Sequence, residues 1–259
     1  MKTRILLFAF MLLGLNTMAQ NMFIAHRGAS YLAPENTVAS AKLAWELGAD
    51  AVECDVYLSK DNRVMVIHDK STRRTCNGKK ALDISKTPSM VLRDLDAGSW
   101  KGPEFKGEKI PFIEEIIETV PEGKKLVIEI KCGPEVLPEL QRAIEKKGKA
   151  DQIIFIGFDF ATIVKAHETF PKNKCYWLSS TKPNNNKLKE VADAGLTGIN
   201  VRDAAIDKEL MTDAQKHNLE VLTWTVDDPQ EAKRLTDLGV KGLTTNRPKW
   251  LKEEMQKLN

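Results

Sequence analysis

Long apolar runs are scarce in this chain of 259 residues. The stretch from Ile5 to Leu15 is the nearest to one, and Gly14 and Asn16 keep it short of the roughly 18 consecutive apolar residues that a membrane span requires. No later segment comes closer, so no stable membrane span is expected. Cysteine is sparse too: Cys54, Cys76, Cys132 and Cys175 show neither CxxC spacing nor clustering, which predicts no essential disulfide. Three of them, Cys54, Cys132 and Cys175, fall in or at the end of strand-like runs, where a small buried hydrophobe is the simplest reading. An excess of one charge is also missing. With 39 Lys and Arg against 36 Asp and Glu, the net charge of +3 is spread along the chain and leaves no basic footprint for nucleic acid. Low-complexity tracts and interdomain linkers are absent as well.

The opening residues read as an address. Lys2 and Arg4 form a basic start, the apolar run follows, and Thr17-Met18-Ala19 makes a small-x-small exit before Gln20. This pattern predicts a signal peptide over residues 1–19, cleaved after Ala19, and an exported protein, periplasmic or secreted. No cysteine closely follows the apolar stretch, which argues against a lipid anchor.

Beyond the leader, β-branched and aromatic runs alternate with helical patterns, the signature of βαβ units and a parallel sheet. Strands are expected at 22–26, 51–58, 125–131, 152–156, 174–178, 198–201, 220–225 and 239–244. Helices are expected at 37–47, 112–120, 135–146, 160–168, 185–194, 207–217, 229–238 and 248–257, with Asn36 and Asp228 as N-caps and Gly48 and Gly239 at helix ends. Eight strand–helix pairs fit an α/β fold of the closed (β/α)8 TIM-barrel type better than an open sheet. A single barrel domain is expected over residues 20–259. Residues 63–68 read as a further short strand paired to 51–58. The turn-rich remainder, about 70–109, reads as a small insertion after the second barrel strand, at the end where barrel enzymes place their chemistry.

The second strand, AVECDVYL, carries Glu53 and Asp55 two residues apart, so strand alternation turns both into the barrel. Two such carboxylates repel each other, and a cation between them or a basic partner is needed to hold them there. LVIEIK repeats the pattern with Glu129 and Lys131. Glu129 can add a third oxygen ligand for a hard cation, or simply neutralise Lys131, which can otherwise meet a phosphate. His26 in IAHRGAS and His68 in VIHDK stand at strand ends, as an acid–base pair or as structural residues. Arg27 suits a phosphate, and Trp224 offers an aromatic wall or core packing. His167 and His217 lie in helical patterns and are read as structural.

Together, HRGAS followed by APENT at residues 33–37, ECD at 53–55, VIHD at 66–69, EIK at 129–131 and WTVDD at 224–228 resemble the glycerophosphodiester phosphodiesterase family in order and spacing. The resemblance covers essentially the whole chain after the leader. It implies that Glu53, Asp55 and Glu129 hold one divalent metal ion, Ca²⁺ or Mg²⁺, with Glu35 supporting the site or ligating. It implies His26 and His68 as the acid–base pair, Arg27 and Lys131 as phosphate ligands, and Trp224 lining the alcohol pocket. The implied partner is a small-molecule glycerophosphodiester, split to sn-glycerol 3-phosphate and an alcohol. The family's closing Thr-Asp-x-Pro turn appears here as Thr245-Asn246-Arg247-Pro248, with Asn246 expected to cap the last helix.

The mechanism expected on this basis has His26 as base and His68 as acid. Two rivals keep the same barrel. One is a phospholipase acting on intact or lyso-lipids, which requires an apolar surface drawn from Met90, Val91, Leu92, Leu95, Trp100 and Phe105. The other is a non-catalytic binder of phosphate compounds, against which the full set of histidines and carboxylates argues.

Overall fold

Strand alternation sorts the sheet's side chains into two cores, and that division is what positions the site. The computed structural model describes residues 21–76 and 81–258. The expected leader and the Asn77-Gly78 turn lie outside them. Eight parallel strands form the barrel: β1 (Met22–Ala25), β2 (Ala51–Leu58), β4 (Lys125–Ile130), β5 (Ile153–Gly157), β6 (Lys174–Ser179), β7 (Gly198–Arg202), β8 (Glu220–Trp224) and β9 (Gly242–Thr245). Each pairs with the next, and β1 pairs with both β2 and β9, which closes the ring. Outward residues such as Cys54, Val56, Ile128, Phe155, Ile199 and Val221 pack against the helices, while Ile24, Val127, Ile154, Tyr176 and Leu222 fill the interior.

The helices are α1 (Val38–Glu46), α3 (Ile113–Thr119), α4 (Leu137–Lys147), α5 (Phe160–Thr169), α6 (Asn185–Asp193), α7 (Lys208–Lys216), α8 (Pro229–Asp237) and α9 (Pro248–Lys257), with a short α2 (Ser89–Arg93) in the insertion. Asp159, Asn184, Asp207 and Asp228 each accept a hydrogen bond from the amide three residues on, the expected N-cap chemistry. Two expected caps are corrected. Thr37, not Asn36, caps α1, accepting from the Ser40 amide, because Asn36 spends its side chain on Asp55. Arg247 occupies the N-cap of α9 without a side-chain cap bond, because the Asn246 amide is held by Asp227. The last strand begins at Gly242 rather than 239: Gly239, at φ +93°, is used to end α8. None of the described helices is long and apolar enough to cross a membrane.

Strand β3 (Val64–Val66) runs antiparallel to β2, Val66 opposite Val56. It opens the insertion, whose small core unites Met65, Ile67, Ile84, Leu92, Ala97 and Ile110. Asp61, in the β2–β3 turn, ties α2 down by accepting from the Ser89 amide and hydroxyl at 2.7 and 2.8 Å. All four cysteines are free thiols, Cys54 and Cys175 fully buried.

Candidate active site

Glu53 and Asp55 on β2 and Glu129 on β4 meet inside the barrel because the strands pair with Asp55 directly opposite Glu129. One oxygen of each is held by a donor. The Arg27 amide donates to Glu53 Oε2 at 2.8 Å, Asn36 Nδ2 to Asp55 Oδ2 at 2.8 Å, and Lys131 Nζ to Glu129 Oε1 at 2.7 Å. Glu53 Oε1 and Asp55 Oδ1 are buried with no hydrogen-bond partner among the described residues. Lys131 Nζ is 3.6 Å from Asp55 Oδ1, a charge contact too long for a hydrogen bond. One oxygen from each of the three carboxylates lies within 4.8 Å of the others. Two carboxylate charges that close repel by roughly 3–4 kcal/mol even at an effective dielectric of about 20, more than a surface ion pair returns. Burial and this repulsion push the Glu53 carboxyl well above its usual range and that of Glu129 up to about 7. Three hard oxygen donors, two of them unsatisfied, fit a divalent cation such as Ca²⁺ or Mg²⁺. The Glu129–Lys131 ion pair, weighed from sequence as an alternative, coexists with this cluster.

The two histidines differ in what holds them. His26 follows β1, and its Nδ1 is 2.8 Å from Asn246 Oδ1. Asn246 Nδ2 donates to Asp227 Oδ2 at 2.5 Å, and a carboxylate can only accept, so the Asn246 oxygen must face the ring. The ring therefore donates from Nδ1 and keeps a lone pair on Nε2. Burial, aided by the adjacent Arg27 guanidinium, holds the His26 pKa below its ordinary 6.5. His68, by contrast, has Nδ1 at 2.7 Å from the Asp69 carboxylate, which Arg74 and His68 itself hold down to about 2. Nε2 of His68 lies 3.3 Å from Lys131 Nζ.

Arg27 sits in the left-handed region at φ +55°, unusual for a non-glycine residue and a cost of about 1 kcal/mol or more. That turn aims its amide at Glu53. Its side chain donates from Nη1 to Glu35 Oε1 at 2.8 Å, with Nε 3.5 Å from Asp55. Next to it Gly28, at φ +81°, lies so close to Ser40 that a Cβ would collide with the Ser40 backbone. Both Glu35 oxygens are taken, by Arg27 and Arg74, and Glu35 stands outside the carboxylate cluster.

A cavity of about 150 Å³ is lined by His26, Arg27, Glu53, His68, Glu129 and Lys131 on one side and by Ile156, Phe158, Leu178, Asn200 and Trp224 on the other. Trp224 meets Phe158 edge to face at 5.6 Å and donates from Nε1 to the Asn200 carbonyl at 3.3 Å. A roomier hollow of about 590 Å³, bounded by Lys208, Glu220 and Lys241, contains no part of the carboxylate–histidine cluster, so chemistry rather than volume marks the site. The sequence reading missed Asn36, Arg74, Asp227 and Asn200. Asn200 had a usable signal: like the acids of ECD, it is a polar residue alternating with outward-facing Ile199 and Val201. It is buried, with Oδ1 unpartnered.

Comparison with known proteins agrees with this geometry. Residues 26–250 match the Glycerophosphoryl diester phosphodiesterase family. A glycerophosphodiester phosphodiesterase of Caldanaerobacter subterraneus is 32% identical over 240 residues, covering 90% of this chain and 96% of its own. A phosphodiesterase of Oleispira antarctica, solved in complex with the product sn-glycerol-3-phosphate, is 30% identical with a TM-score of 0.85, covering 91% of this chain and 96% of that one. A glycerophosphodiester phosphodiesterase of Agrobacterium tumefaciens is 25% identical with a TM-score of 0.76, covering 90% and 99%. With the family matched across the barrel and its mouth, the chain belongs to the glycerophosphoryl diester phosphodiesterase family and is a phosphoric diester hydrolase.

Proposed function

We propose that this protein hydrolyses glycerophosphodiesters such as glycerophosphocholine or glycerophosphoethanolamine to sn-glycerol 3-phosphate and the free alcohol. One observation carries the reading: a cluster of three buried carboxylates, two of which border the cavity, stands beside two histidines held by different partners, Asn246 and Asp69. Glu53, Asp55 and Glu129 are the residues to hold Ca²⁺ or Mg²⁺, which when bound supplies positive charge against the phosphate oxygens. Arg27 and Lys131 add fixed positive charge to bind and orient the phosphate. His26, neutral and with Nε2 free, takes the proton from the attacking oxygen, either water or the adjacent glycerol hydroxyl. His68, backed by the Asp69 anion, gives a proton to the departing alcohol oxygen. The apolar wall at Trp224 excludes water and receives the substrate's organic part.

The phospholipase reading needs a continuous apolar surface on the insertion. Of the six residues that could form it, Met90 and Val91 are exposed but Leu92 is buried in the insertion's own core, which favours small water-soluble substrates. The basic, apolar and small-residue opening supports export to the periplasm or beyond, and N-terminal sequencing of the mature protein tests cleavage after Ala19.

The deciding experiment measures sn-glycerol 3-phosphate released from glycerophosphocholine by the purified protein with EDTA, then with Ca²⁺ or Mg²⁺ restored. Metal-dependent release, absent in Glu53→Ala, is expected. A folded protein that binds glycerophosphocholine but never turns it over would move the reading to the binding barrel.

A further inference from the structure

Arg74, at the root of the insertion, takes no part in the proposed proton transfers. Yet its guanidinium grips two carboxylates at once. Nη1 and Nη2 donate to the two oxygens of Glu35 at 2.7 and 2.8 Å, and Nε and Nη2 donate to the two oxygens of Asp69 at 2.8 and 3.2 Å. Glu35 belongs to the β1–α1 loop, which Arg27 fixes from its other side. Asp69 is the residue whose Oδ1 lies 2.7 Å from His68 Nδ1. The planar fork thus runs from a braced loop of the barrel to the carboxylate that holds a histidine of the cavity.

We propose that Arg74 is a positioning residue: anchored on Glu35, it holds the Asp69 carboxylate in the orientation that aims the His68 ring at the departing alcohol. The claim rests on the reading of His68 as the acid. Stability alone does not explain so complete a set of bonds. The Arg74 side chain is 44% exposed, and ion pairs at that exposure contribute only about 0–1 kcal/mol. Geometry is what such a fork can supply, since two in-plane pairs fix direction where a single charge fixes only distance. Lysine at this position has one charged nitrogen and cannot serve both carboxylates in one plane. The insertion, on this view, completes the site as well as covering it.

The test compares two esters that share the glycerophosphate half: glycerophosphocholine, whose alcohol needs a proton, and glycerophospho-p-nitrophenol, whose phenolate leaves without one. Arg74→Ala is expected to lower kcat on the choline ester by about 10- to 100-fold, the scale of a misaimed catalytic group, and on the nitrophenyl ester by less than about 3-fold. Arg74→Lys should recover little of the loss. In an Asp69→Asn background, Arg74→Ala should cost no more than about 3-fold further, because both act through one ring. Equal losses on the two esters, full rescue by lysine, or losses that multiply with Asp69→Asn would overturn the proposal. Should Arg74→Ala fail to fold by circular dichroism, the same comparisons are made with Arg74→Lys and Arg74→Gln. His68→Ala separates the two levels of inference. If it discriminates between the esters and Arg74→Ala does not, the Arg74 proposal falls and the acid reading stands. If His68→Ala hits both esters equally, the acid reading falls, and losses from Arg74→Ala and His68→Ala that multiply take the Arg74 proposal with it.

Discussion

The two halves of the barrel mouth are built on opposite terms. Among the residues lining the cavity, β1, β2, β4 and the start of the insertion supply every ionisable group, while β5 to β9 and the loops that follow supply Ile156, Phe158, Leu178, Asn200, Trp224, Thr225 and Thr244. The first half carries positive φ at Arg27 and Asn36, orphaned oxygens on Glu53 and Asp55, and two carboxyls, Glu53 and Glu129, pushed upward by burial and by the Asp55 charge. The second is mostly packing, with the Trp224 ring nitrogen satisfied and its ring edge to face with Phe158, and with one orphaned oxygen on Asn200. Unfavourable charge has been concentrated where phosphate and metal would relieve it, and the opposite wall is left to shape. Stability sacrificed mainly on one side is the mark of a site, since the sheet itself would be as well closed by apolar residues.

The contrast breaks most sharply at the carboxylates. Glu53→Gln keeps the shape and a hydrogen bond from the Arg27 amide but removes a proposed metal ligand, and activity on glycerophosphocholine is expected to fall by about 10³-fold or more, as it should for the wild type in EDTA. Next in size is His26→Ala, with a loss on the order of 10²-fold or more in kcat. In the wild type, because burial and Arg27 hold His26 below 6.5, the neutral base persists into mild acid. The acidic limb of the kcat/KM profile should lie below pH 6.5, and a limb above that value would remove His26 from the role of base.

A smaller effect tests the repulsion itself. Burial and the neighbouring Asp55 charge push the Glu129 carboxyl up to about 7 against an ordinary 4.5 and Glu53 well above its own, so the metal-free fold binds protons that the unfolded chain releases. Its stabilisation by that uptake is present below pH 4.5 and lost as pH rises through about 7. In EDTA the wild-type melting temperature should drop by on the order of 5 °C between pH 5 and 8, beyond the drop in Glu53→Gln. Parallel curves for the two proteins would show that the cluster is not under electrostatic strain.

Much of this was legible in the residues, for reasons that also explain what was not. Period-two alternation in AVECDVYL and LVIEIK places the acids inside the barrel, and a closed ring of strands brings them face to face. Strand ends were mostly within a residue or two, the exception being the last strand, where Gly239 serves the preceding helix. What escaped were the residues whose work is done by a partner far away in the chain. Asn36 looks like a helix cap beside Thr37, and only the fold shows that it braces Asp55. Asn246 likewise looks like a cap, until Asp227 on one side and His26 on the other make it a link. Arg74 sits in a turn-rich stretch without periodicity, where no local pattern could reveal that it joins Glu35 to Asp69.

The apolar half should yield the mildest change, and one of a different kind. Trp224 lines the cavity without touching a proton or a charge, and its edge-to-face contact with Phe158 is worth about 0.5–1.5 kcal/mol beyond area burial. Trp224→Ala is therefore expected to lower kcat/KM for glycerophosphocholine by about tenfold, mostly through KM, because it removes binding shared by the ground state and the transition state. Trp224→Phe should restore most of it. Steady-state kinetics over a range of substrate concentrations reads the division directly. A loss confined to kcat would place Trp224 with the charged half, and the division of the mouth into a chemical side and a shape side would have to be redrawn with the boundary at β8.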